Sequence, residues 1–559
     1  MTISGKYRTL RAAALAAALG VIAPATRADD PPTRVGRIVL VEGAVSLHPD
    51  SGASWMIAEV NDPLTAAASL WTEQGARAEI EIGHARVNLG GGTELQVNLV
   101  DDDSAELTVL QGRIAVHLQH RRAGERYEVT TPRGTVALEE DGAYRIIAGT
   151  DQVPTRIAAF SGRATLALSD SILVINGGAE QTIASVDPLD STSATPIPDP
   201  FDQWSDDRAT LYATSVAPQY VSPEITGYED LQIYGTWLPV PEYGVLWVPG
   251  QVPVTWAPYR EGHWRWVPPW GWTWIDDQKW GFAPFHYGRW VNVGGIWGWL
   301  PGPATDGQPP AYAPALVTFV AAPDATIPEA APIAWVPLGP AEIYQPSVVA
   351  LAPDAGPALV GLSFVYFARL NPGARHEVLA AFEQDGAFRQ RPPADGPTVA
   401  LANQRFATAM NRDDFVTARP VQNGSFVPPP SAALRPVVPV GTIFSPPAPV
   451  APLVNPLGPA IPPHLAPLPS SASAKAASER RASPPSVSPA PPPASALQPQ
   501  VQAMPTALPP RAPAVRPPPP PPAQRQTQQS APSRPDQPPP DTSRRPDPNR
   551  RPHDADPAR

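Results

Sequence analysis

Charged residues lie among the tryptophans in the middle of the chain and are the first candidates for chemistry. Glu261 and His263 lie close together, as do Asp276 and Asp277, and His286 follows. Two carboxyl groups that share a cleft can act as general acid and base. Adjacent residues on a strand point to opposite faces, however, and Asp residues in a turn usually serve the turn itself. We therefore predict no catalytic site here and expect that the chain is not an enzyme.

Other motifs with a known chemical role are missing from the sequence. The chain has nine His and no Cys, and these His do not cluster at the spacing of metal ligands. No phosphate-binding glycine loop, HExxH or GxSxG motif occurs, and Ser363 and Ser425 lack the local signature of a nucleophile. The glycines at 90–92 are typical of a turn, and the aspartates at 101–103 could contact Ca²⁺ but are better explained as a strand-connecting turn. We expect no catalytic residue, no metal site and no cofactor.

Tryptophan is the residue type with the most distinctive spacing. Twelve of the sixteen Trp lie between Trp237 and Trp299, and the sequences GTW, GHW and GRW recur at intervals of 27 and 26 residues. Trp264 and Trp266 lie two residues apart, as do Trp297 and Trp299, which places each pair on one face of a strand. A fixed period of this kind predicts three repeated β-hairpins over residues 235–303.

Two interpretations of these rings remain open. In the first, the rings form the core of small repeats that have few aliphatic residues, since aromatic pairs add about 0.5–1.5 kcal/mol beyond their buried area. In the second, some rings stay exposed and stack on sugars or on Pro-rich peptides. Trp266, Trp270 and Trp272 surround the Pro268–Pro269 turn, and we predict that these three are exposed and bind a ligand.

The segment before this region alternates with the two-residue period of β-strands. Ile80 and Ile82 point to one face, whereas Glu79 and Glu81 point to the other, and Gly or Asp turns separate successive runs. No helical period of useful length occurs. Residues 35–185 therefore predict an all-β domain, either a β-sandwich or a short β-solenoid.

The same segment resembles the FecR domain. The resemblance is carried, in order, by ASLWTEQGARAEIEIG, GGTELQVNLVDDDSAELTVLQGRIAVHL, YEVTTPRGTVAL and DGAYRI. In its best-known members this domain is the periplasmic part of a membrane-spanning regulator of iron uptake. At the start of this chain we expect a cleavable signal segment in place of the regulator's cytoplasmic arm and membrane span. The resemblance thus implies a fold and a protein-contacting module, and not the signalling mechanism.

A second resemblance covers roughly residues 218–422. The Trp-rich repeats are followed by WVPLGPAEIY and then by FVTARPV. This order resembles a proline- and tryptophan-rich domain of unknown function in exported bacterial proteins, which is commonly found after a FecR-like domain and supplies no activity to transfer. Residues 186–217 look like a linker, with a short helix expected from Asp202 to Ala213.

Both ends of the chain predict export and an extended tail. Lys6, Arg8 and Arg11 precede a short apolar run from Ala12 to Ala25, and we expect cleavage before Asp29, which is the pattern of a secretory signal peptide. Residues 427–559 hold 41 of the 80 Pro and carry 13 Lys and Arg against 6 Asp and Glu. Such a segment cannot bury enough apolar surface to fold, so we predict a disordered, basic tail that could contact anionic polymers.

The sequence therefore predicts a mainly β protein in five parts. These are a signal peptide (1–28), a FecR-like β domain (35–185), a linker (186–217), a Trp/Pro-rich β-hairpin domain (218–426) and a disordered Pro-rich tail (427–559). We expect a non-enzymatic exported cell-envelope protein, periplasmic or secreted, with no membrane span in the mature chain. It would act as a binding or scaffold module for envelope glycan or an envelope protein, and nucleic acid is not an expected partner. The alternative is an accessory component of FecR-type envelope signalling that acts through a separate membrane partner.

Overall fold

A computed structural model gives the fold of the chain, and it describes residues 30–50, 52–212, 217–302, 310–321, 332–344, 349–352, 355–359, 364–371, 401–421, 435–436 and 461–465. The chain divides into two compact units, Met1–Leu468 and Pro469–Arg559, and every described residue lies in the first. The predicted signal peptide and nearly all of the predicted tail lie outside the described residues. The two short tail segments that are described include Arg435–Pro436, which pair with a strand of the main body.

Eighteen strands in the first part of the chain form two sheets of nine strands. In sequence order, the first sheet contains β1 (Gly36–Glu42), β4 (Pro63–Leu64), β6 (Arg77–Ile82), β7 (Ala85–Leu89), β10 (Arg113–Leu118), β13 (Gly142–Ile147), β14 (Thr155–Ala159), β17 (Ala179–Val186) and β18 (Leu189–Ala194). The second contains β2 (Val45–His48), β3 (Met56–Ile57), β5 (Ser69–Thr72), β8 (Glu94–Val100), β9 (Ser104–Gln111), β11 (Arg126–Thr131), β12 (Gly134–Leu138), β15 (Arg163–Ala167) and β16 (Ile172–Asn176). The prediction of a mainly β fold is confirmed.

The two sheets share one apolar core, and the chain passes between them repeatedly. The first sheet has the order β18-β17-β14-β13-β10-β7-β6-β1-β4 and the second the order β16-β15-β12-β11-β9-β8-β5-β2-β3. Later strands are thus added mostly at one end of each sheet, as in a solenoid, while the two sheets face each other as in a sandwich. Among the described pairs, only β9 and β11 are parallel. We call residues 30–194 the β-sandwich region.

Alternation along these strands places the aliphatic side chains inside. Ile80 and Ile82 of β6 join Leu70 and Val97 of the second sheet in one core. Their neighbour Glu79 points to the outer face of the first sheet but is also fully buried. The outer face of β6 is therefore covered, which the alternating pattern alone does not predict.

Helix α1 (Pro200–Thr210) lies within the segment that the sequence predicts as a linker. Asp199 caps it by accepting hydrogen bonds from the backbone of Phe201 and Asp202, and the Asp202 side chain completes a capping box. The expected short helix near Asp202 is confirmed, and it begins two residues earlier. Because β18 and α1 both lie between residues 186 and 217, much of this segment has regular structure.

The three predicted β-hairpins are confirmed. They are β19 (Gly235–Val240) with β20 (Gly244–Pro249), β21 (Gly262–Val267) with β22 (Gly271–Asp276), and β23 (Arg289–Val293) with β24 (Ile296–Leu300). The first and third hairpins join in one sheet, β19-β20-β24-β23, whereas the second forms a sheet of its own. Cross-strand pairs place tryptophans directly opposite one another, as with Trp264 and Trp274.

The remaining elements are short. They are α2 (Asp230–Tyr234), α3 (Ala283–His286), β25 (Val317–Ala321), β26 (Ile333–Pro337), β27 (Val349–Ala352), β28 (Ala355–Leu359), α4 (Phe364–Leu370), β29 (Thr408–Met410), α5 (Arg412–Val416) and β30 (Arg435–Pro436), with 3-10 turns at Ala217–Gln219 and Gln404–Phe406. Four of these strands form the sheet β29-β26-β25-β30. We call residues 217–421 the Trp-rich region.

Candidate binding surfaces and the buried charged junction

Most tryptophans of the hairpins form the core of the Trp-rich region. Of the twelve between Trp237 and Trp299, ten are buried and two are partly buried. The rings meet edge to face, for example Trp247 with Trp280 at a centroid distance of 5.0 Å. Several indole N–H groups also donate hydrogen bonds to carbonyls within this core; for example, Trp299 Nε1 donates to the Tyr287 carbonyl at 2.8 Å. These contacts favour the first of the two interpretations, in which Trp replaces the aliphatic residues of an ordinary core.

The three predicted ligand-binding rings do not form an exposed platform. Trp270 and Trp272 are only 4% and 6% exposed, so the expectation that they are exposed is wrong. Trp270 packs edge-on against Tyr312 at 5.4 Å, and Trp272 packs against Phe415 at 4.6 Å. Both covering residues come from later segments whose approach the hairpin sequence does not reveal. Trp266 is partly buried and contacts Trp272 at 5.8 Å.

A different aromatic pair reaches the surface. Tyr220 stacks on Trp237 with a centroid distance of 4.9 Å and an interplanar angle of 29°. Tyr220 is 40% exposed and Trp237 is partly buried. Trp237 lies on β19, which is an edge strand among the described residues, and Pro239 in that strand is typical of an edge position. We call Tyr220 and Trp237 the aromatic surface pair.

Charged side chains are buried where the β-sandwich region meets the Trp-rich region. Arg37 of β1 is fully buried; its Nε donates to Glu81 at 2.8 Å, and an outer nitrogen lies 2.5 Å from Asp230. The backbone N–H of Gly227 donates to Glu81 at 3.0 Å. Burial acts to raise the pKa of Glu81, but Arg37 and Arg86 outweigh it and lower that pKa. For Asp230, burial prevails over Arg37 and the pKa is raised.

A second set of ion pairs extends this junction across β6 and β7. Arg86 donates to Glu79 at 2.6 Å and, through Nε, to Glu229 at 2.9 Å. Arg208 of α1 donates to the other oxygen of Glu79 at 2.5 Å. A cavity of about 30 Å³ adjoins these residues and is lined in part by His84 and His117. This volume has room for about two water molecules. We call these two sets of ion pairs the buried junction. Its members are Arg37, Arg86 and Arg208 with Glu79, Glu81, Glu229 and Asp230.

One cluster beside the junction has the donor types of a metal site. Donor atoms of His84, Glu125 and Glu224 all lie within 4.8 Å of one another, and His84 Nε2 is 3.3 Å from Glu224. However, Arg34 donates to Glu125 at 2.5 Å, and Arg122 lies 3.5 Å from Glu224. The two arginines neutralise the two carboxylates, so a divalent cation would add two positive charges to a balanced group. The cluster fits a structural ion-pair network better than it fits a metal.

The pKa values of the two carboxyls agree with that conclusion. Burial acts to raise the pKa of Glu125 and of Glu224. The hydrogen bond from Arg34 prevails at Glu125, and His84 and Arg122 prevail at Glu224, so both pKa values are lowered. Both groups are therefore anions that their cationic neighbours hold in place.

Three of the charged residues singled out among the tryptophans lie close together at the open end of the second hairpin, where the Asp277 N–H donates to the Glu261 carbonyl at 3.0 Å and Asp276 precedes Asp277. Asp276 is buried and accepts hydrogen bonds from Trp274 Nε1 at 2.9 Å and from the Gln278 backbone at 3.0 Å, whereas its neighbour Asp277 is exposed. Burial raises the pKa of Asp276 well above its usual range. Burial likewise lowers the pKa of His263 to about 3. The adjacent carboxyls thus face different surroundings, as expected for neighbours at the end of a strand.

A further contact between the two regions lies at this place. Asn61 Nδ2 donates to the carbonyls of Asp276 at 2.8 Å and Gln278 at 2.7 Å. Arg265 of β21 forms an ion pair with Asp62 and another with Glu59 at 3.0 Å. The charged residues here bind one region to the other.

The predicted turns are found as turns. Asp101 accepts hydrogen bonds from the backbone of Asp103 at 2.9 Å and Ser104 at 2.7 Å, and the glycines at 90–92 connect β7 to β8. The absence of a catalytic site, a metal and a cofactor stays a prediction. Among the helices that the structure describes, none is both long and apolar enough to cross a membrane.

Comparisons with known proteins give one family match and a small structural similarity. Residues 228–342 match a family of unknown function, DUF6600. None of the curated proteins matches the chain. Two crystal structures of a putative anti-sigma factor from Parabacteroides distasonis ATCC 8503 are similar, at 12% identity and with TM-scores of 0.22 and 0.21. The similarity covers 24% and 23% of this chain and 64% and 59% of theirs, so the chain spans less than two thirds of these structures.

Proposed function

We propose that this protein is a non-enzymatic, exported cell-envelope protein that acts as a binding module for envelope glycan. The observation that carries the proposal is the aromatic surface pair, in which Tyr220 is stacked on Trp237 and remains 40% exposed. A sugar ring has an apolar face of C–H groups that packs on a flat aromatic ring, while the phenol hydroxyl at the rim can bond a sugar hydroxyl.

Three features support a binding role over catalysis. The carboxylates at the junction are paired with arginines, as Glu79 is with Arg86 and Arg208. Most of the tryptophans are buried in the core of the Trp-rich region. In the acidic pair of the second hairpin, Asp276 is buried and Asp277 is exposed. The paired carboxylates and the buried tryptophans thus stabilise the fold, and we assign recognition to the aromatic surface pair.

The test is co-sedimentation of the mature chain with isolated peptidoglycan. Replacing Tyr220→Ala should weaken binding about fivefold, because an aromatic contact of this kind contributes about 1 kcal/mol. The matched control is Trp55→Ala, which removes another partly exposed aromatic pair, His48 with Trp55 at 5.2 Å, from the β-sandwich region. Equal binding by wild type and the Tyr220 variant would remove the support for this surface.

A Trp266→Ala variant separates the two possible platforms. Trp266 is the one predicted ligand-binding ring that keeps some exposed area. If Trp266→Ala loses binding and Tyr220→Ala does not, the glycan platform is the one predicted from the sequence. If the wild-type chain does not co-sediment with peptidoglycan, the glycan proposal is wrong.

The alternative is an accessory role in envelope signalling. Its support is the resemblance of residues 35–185 to the FecR domain, which implies a protein-contacting module that needs a separate membrane partner. Cross-linking of the exported protein in its own cell envelope distinguishes the two. Recovery of a membrane-bound regulator would favour signalling, and recovery of glycan fragments alone would favour the binding module.

A further inference from the structure

Strand β16 is an edge of the second nine-stranded sheet, and it is apolar and open. It pairs with β15 over five consecutive residue pairs without a bulge, and its other side has no described strand. Ile172 and Val174 are 68% and 53% exposed. The strand has no Lys, no Pro and no charged residue. Natural proteins usually protect an edge by one of these devices, since an open edge can pair with another chain.

The other three edges of the two sheets are protected. Strands β3 and β4 are only two residues long, which leaves few groups to pair. Strand β18 is longer, but its sequence LDSTSA is polar and contains Asp190. Among these four edges, β16 alone combines length, aliphatic side chains and the absence of charge. An edge of this composition is best explained by a strand that covers it.

The hydrogen-bonding groups that β16 leaves free can be assigned. The Leu168 N–H donates to the Ser171 carbonyl at 2.9 Å, which makes these two residues a hydrogen-bonded pair of the β15–β16 hairpin. Because such pairs alternate in antiparallel strands, Leu173 and Ile175 bond β15, whereas Ile172 and Val174 direct their N–H and C=O groups away from it. The exposed apolar residues are therefore also those with free backbone groups.

We propose that β16 pairs in antiparallel fashion with β16 of a second copy of this chain to form a two-fold symmetric dimer. With the two-fold axis at Leu173, Ile172 lies opposite the partner's Val174. The free backbone groups of the two strands then pair, and the exposed aliphatic side chains contact one another.

A second copy fits this edge for two further reasons. The alternative register, with the axis at Val174, would place Ile172 opposite the partner's Asn176 and bury less apolar surface. In the first register the nearest acid, Asp170, stands six residues from its symmetry mate along the strand pair, so like charges are kept apart even though the chain carries a net charge of −11. An isologous edge-to-edge contact of this kind closes on itself and does not propagate. The inference is independent of the glycan proposal.

Sedimentation equilibrium of the mature chain tests the dimer. We expect the wild type to self-associate and a Val174→Lys variant to raise the dimer dissociation constant about tenfold or more, because an edge lysine opposes strand addition. The matched control is Ile197→Lys, which adds the same charge at an exposed residue that belongs to no strand. A wild type that stays monomeric at about 100 µM overturns the proposal. Equal association of the Val174 variant and the wild type overturns it as well.

Hydrogen exchange gives a second readout that does not rely on a variant. The amides of Ile172 and Val174 should become protected as the concentration of wild-type chain rises, since only the dimer bonds them. Protection that does not change with concentration contradicts the pairing, even if a dimer forms through another surface.

Discussion

At the scale of single residues, His286 is a buried titratable group, and within the described part of the chain its hydrogen bond is to a backbone carbonyl and not to a charged side chain. Its Nδ1–H donates to the Ala313 carbonyl at 2.8 Å, and its ring stacks on Tyr312 at 4.8 Å. Burial lowers the pKa of His286 to about 4. The folded protein therefore keeps this imidazole neutral at pH values at which the unfolded chain takes up a proton, since the ordinary pKa is about 6.5.

We predict that His286→Phe reduces the loss of stability in acid. The stability that the wild type gains from a neutral His286 is complete above pH 6.5 and is lost as the pH falls towards 4. Between pH 7 and pH 5 this amounts to about 2 kcal/mol. Urea unfolding of both proteins at the two pH values measures it, and the wild type should lose about 2 kcal/mol more than the variant. Equal losses would show that His286 does not titrate in this way.

At the scale of elements, the buried junction joins β1 and β6 to α2. We predict that Arg37→Met destabilises the fold by about 3–5 kcal/mol, because it leaves Asp230 and Glu81 buried without this cation. The control is Arg163→Met, which breaks an exposed pair with Glu139 at 2.7 Å and should cost less than about 1 kcal/mol.

A double variant separates charge from packing at the same place. Arg37→Met with Asp230→Leu replaces both members of a buried pair by apolar groups, so it should recover much of the stability that Arg37→Met alone loses. Chemical denaturation of the three variants measures these effects. If Arg37→Met costs no more than Arg163→Met, the junction contributes no more than a surface ion pair.

The elements were predictable where a local pattern determines them. Two-residue alternation gave the strands of the β-sandwich region, and the spacing of Gly and Trp gave the three hairpins. The covering of these elements was not predictable, because the covering residues are distant in sequence. Glu79 meets Arg208 of α1, and Trp272 meets Phe415 of α5. No period in β6 or β22 indicates which later segment will pack on it, and for this reason two of the three rings predicted to be exposed, Trp270 and Trp272, proved to be buried.

At the scale of the whole molecule, the β-sandwich and Trp-rich regions belong to one compact unit, Met1–Leu468. We predict that they unfold together. Near-ultraviolet circular dichroism, which the packed tryptophans dominate, and the far-ultraviolet β signal should give the same thermal midpoint. Arg37→Met should lower both midpoints by the same amount. Two separate midpoints, or a shift in one signal alone, would show that the regions are independent.

The buried junction also constrains the order in which the chain can mature. Arg37 is synthesised 193 residues before Asp230, and Glu79 is synthesised 129 residues before Arg208. Until those later residues emerge, a sandwich that has already closed would hold charges on its outer face that water must still solvate. The outer face of the first sheet thus receives its remaining charged partners from α1 and α2, which follow the sheet in the sequence. A chain that ends just after β18 would keep the pairs of Arg37 with Glu81 and of Glu79 with Arg86, but it would lack Asp230 and Arg208. Its buried charges would therefore be only partly compensated.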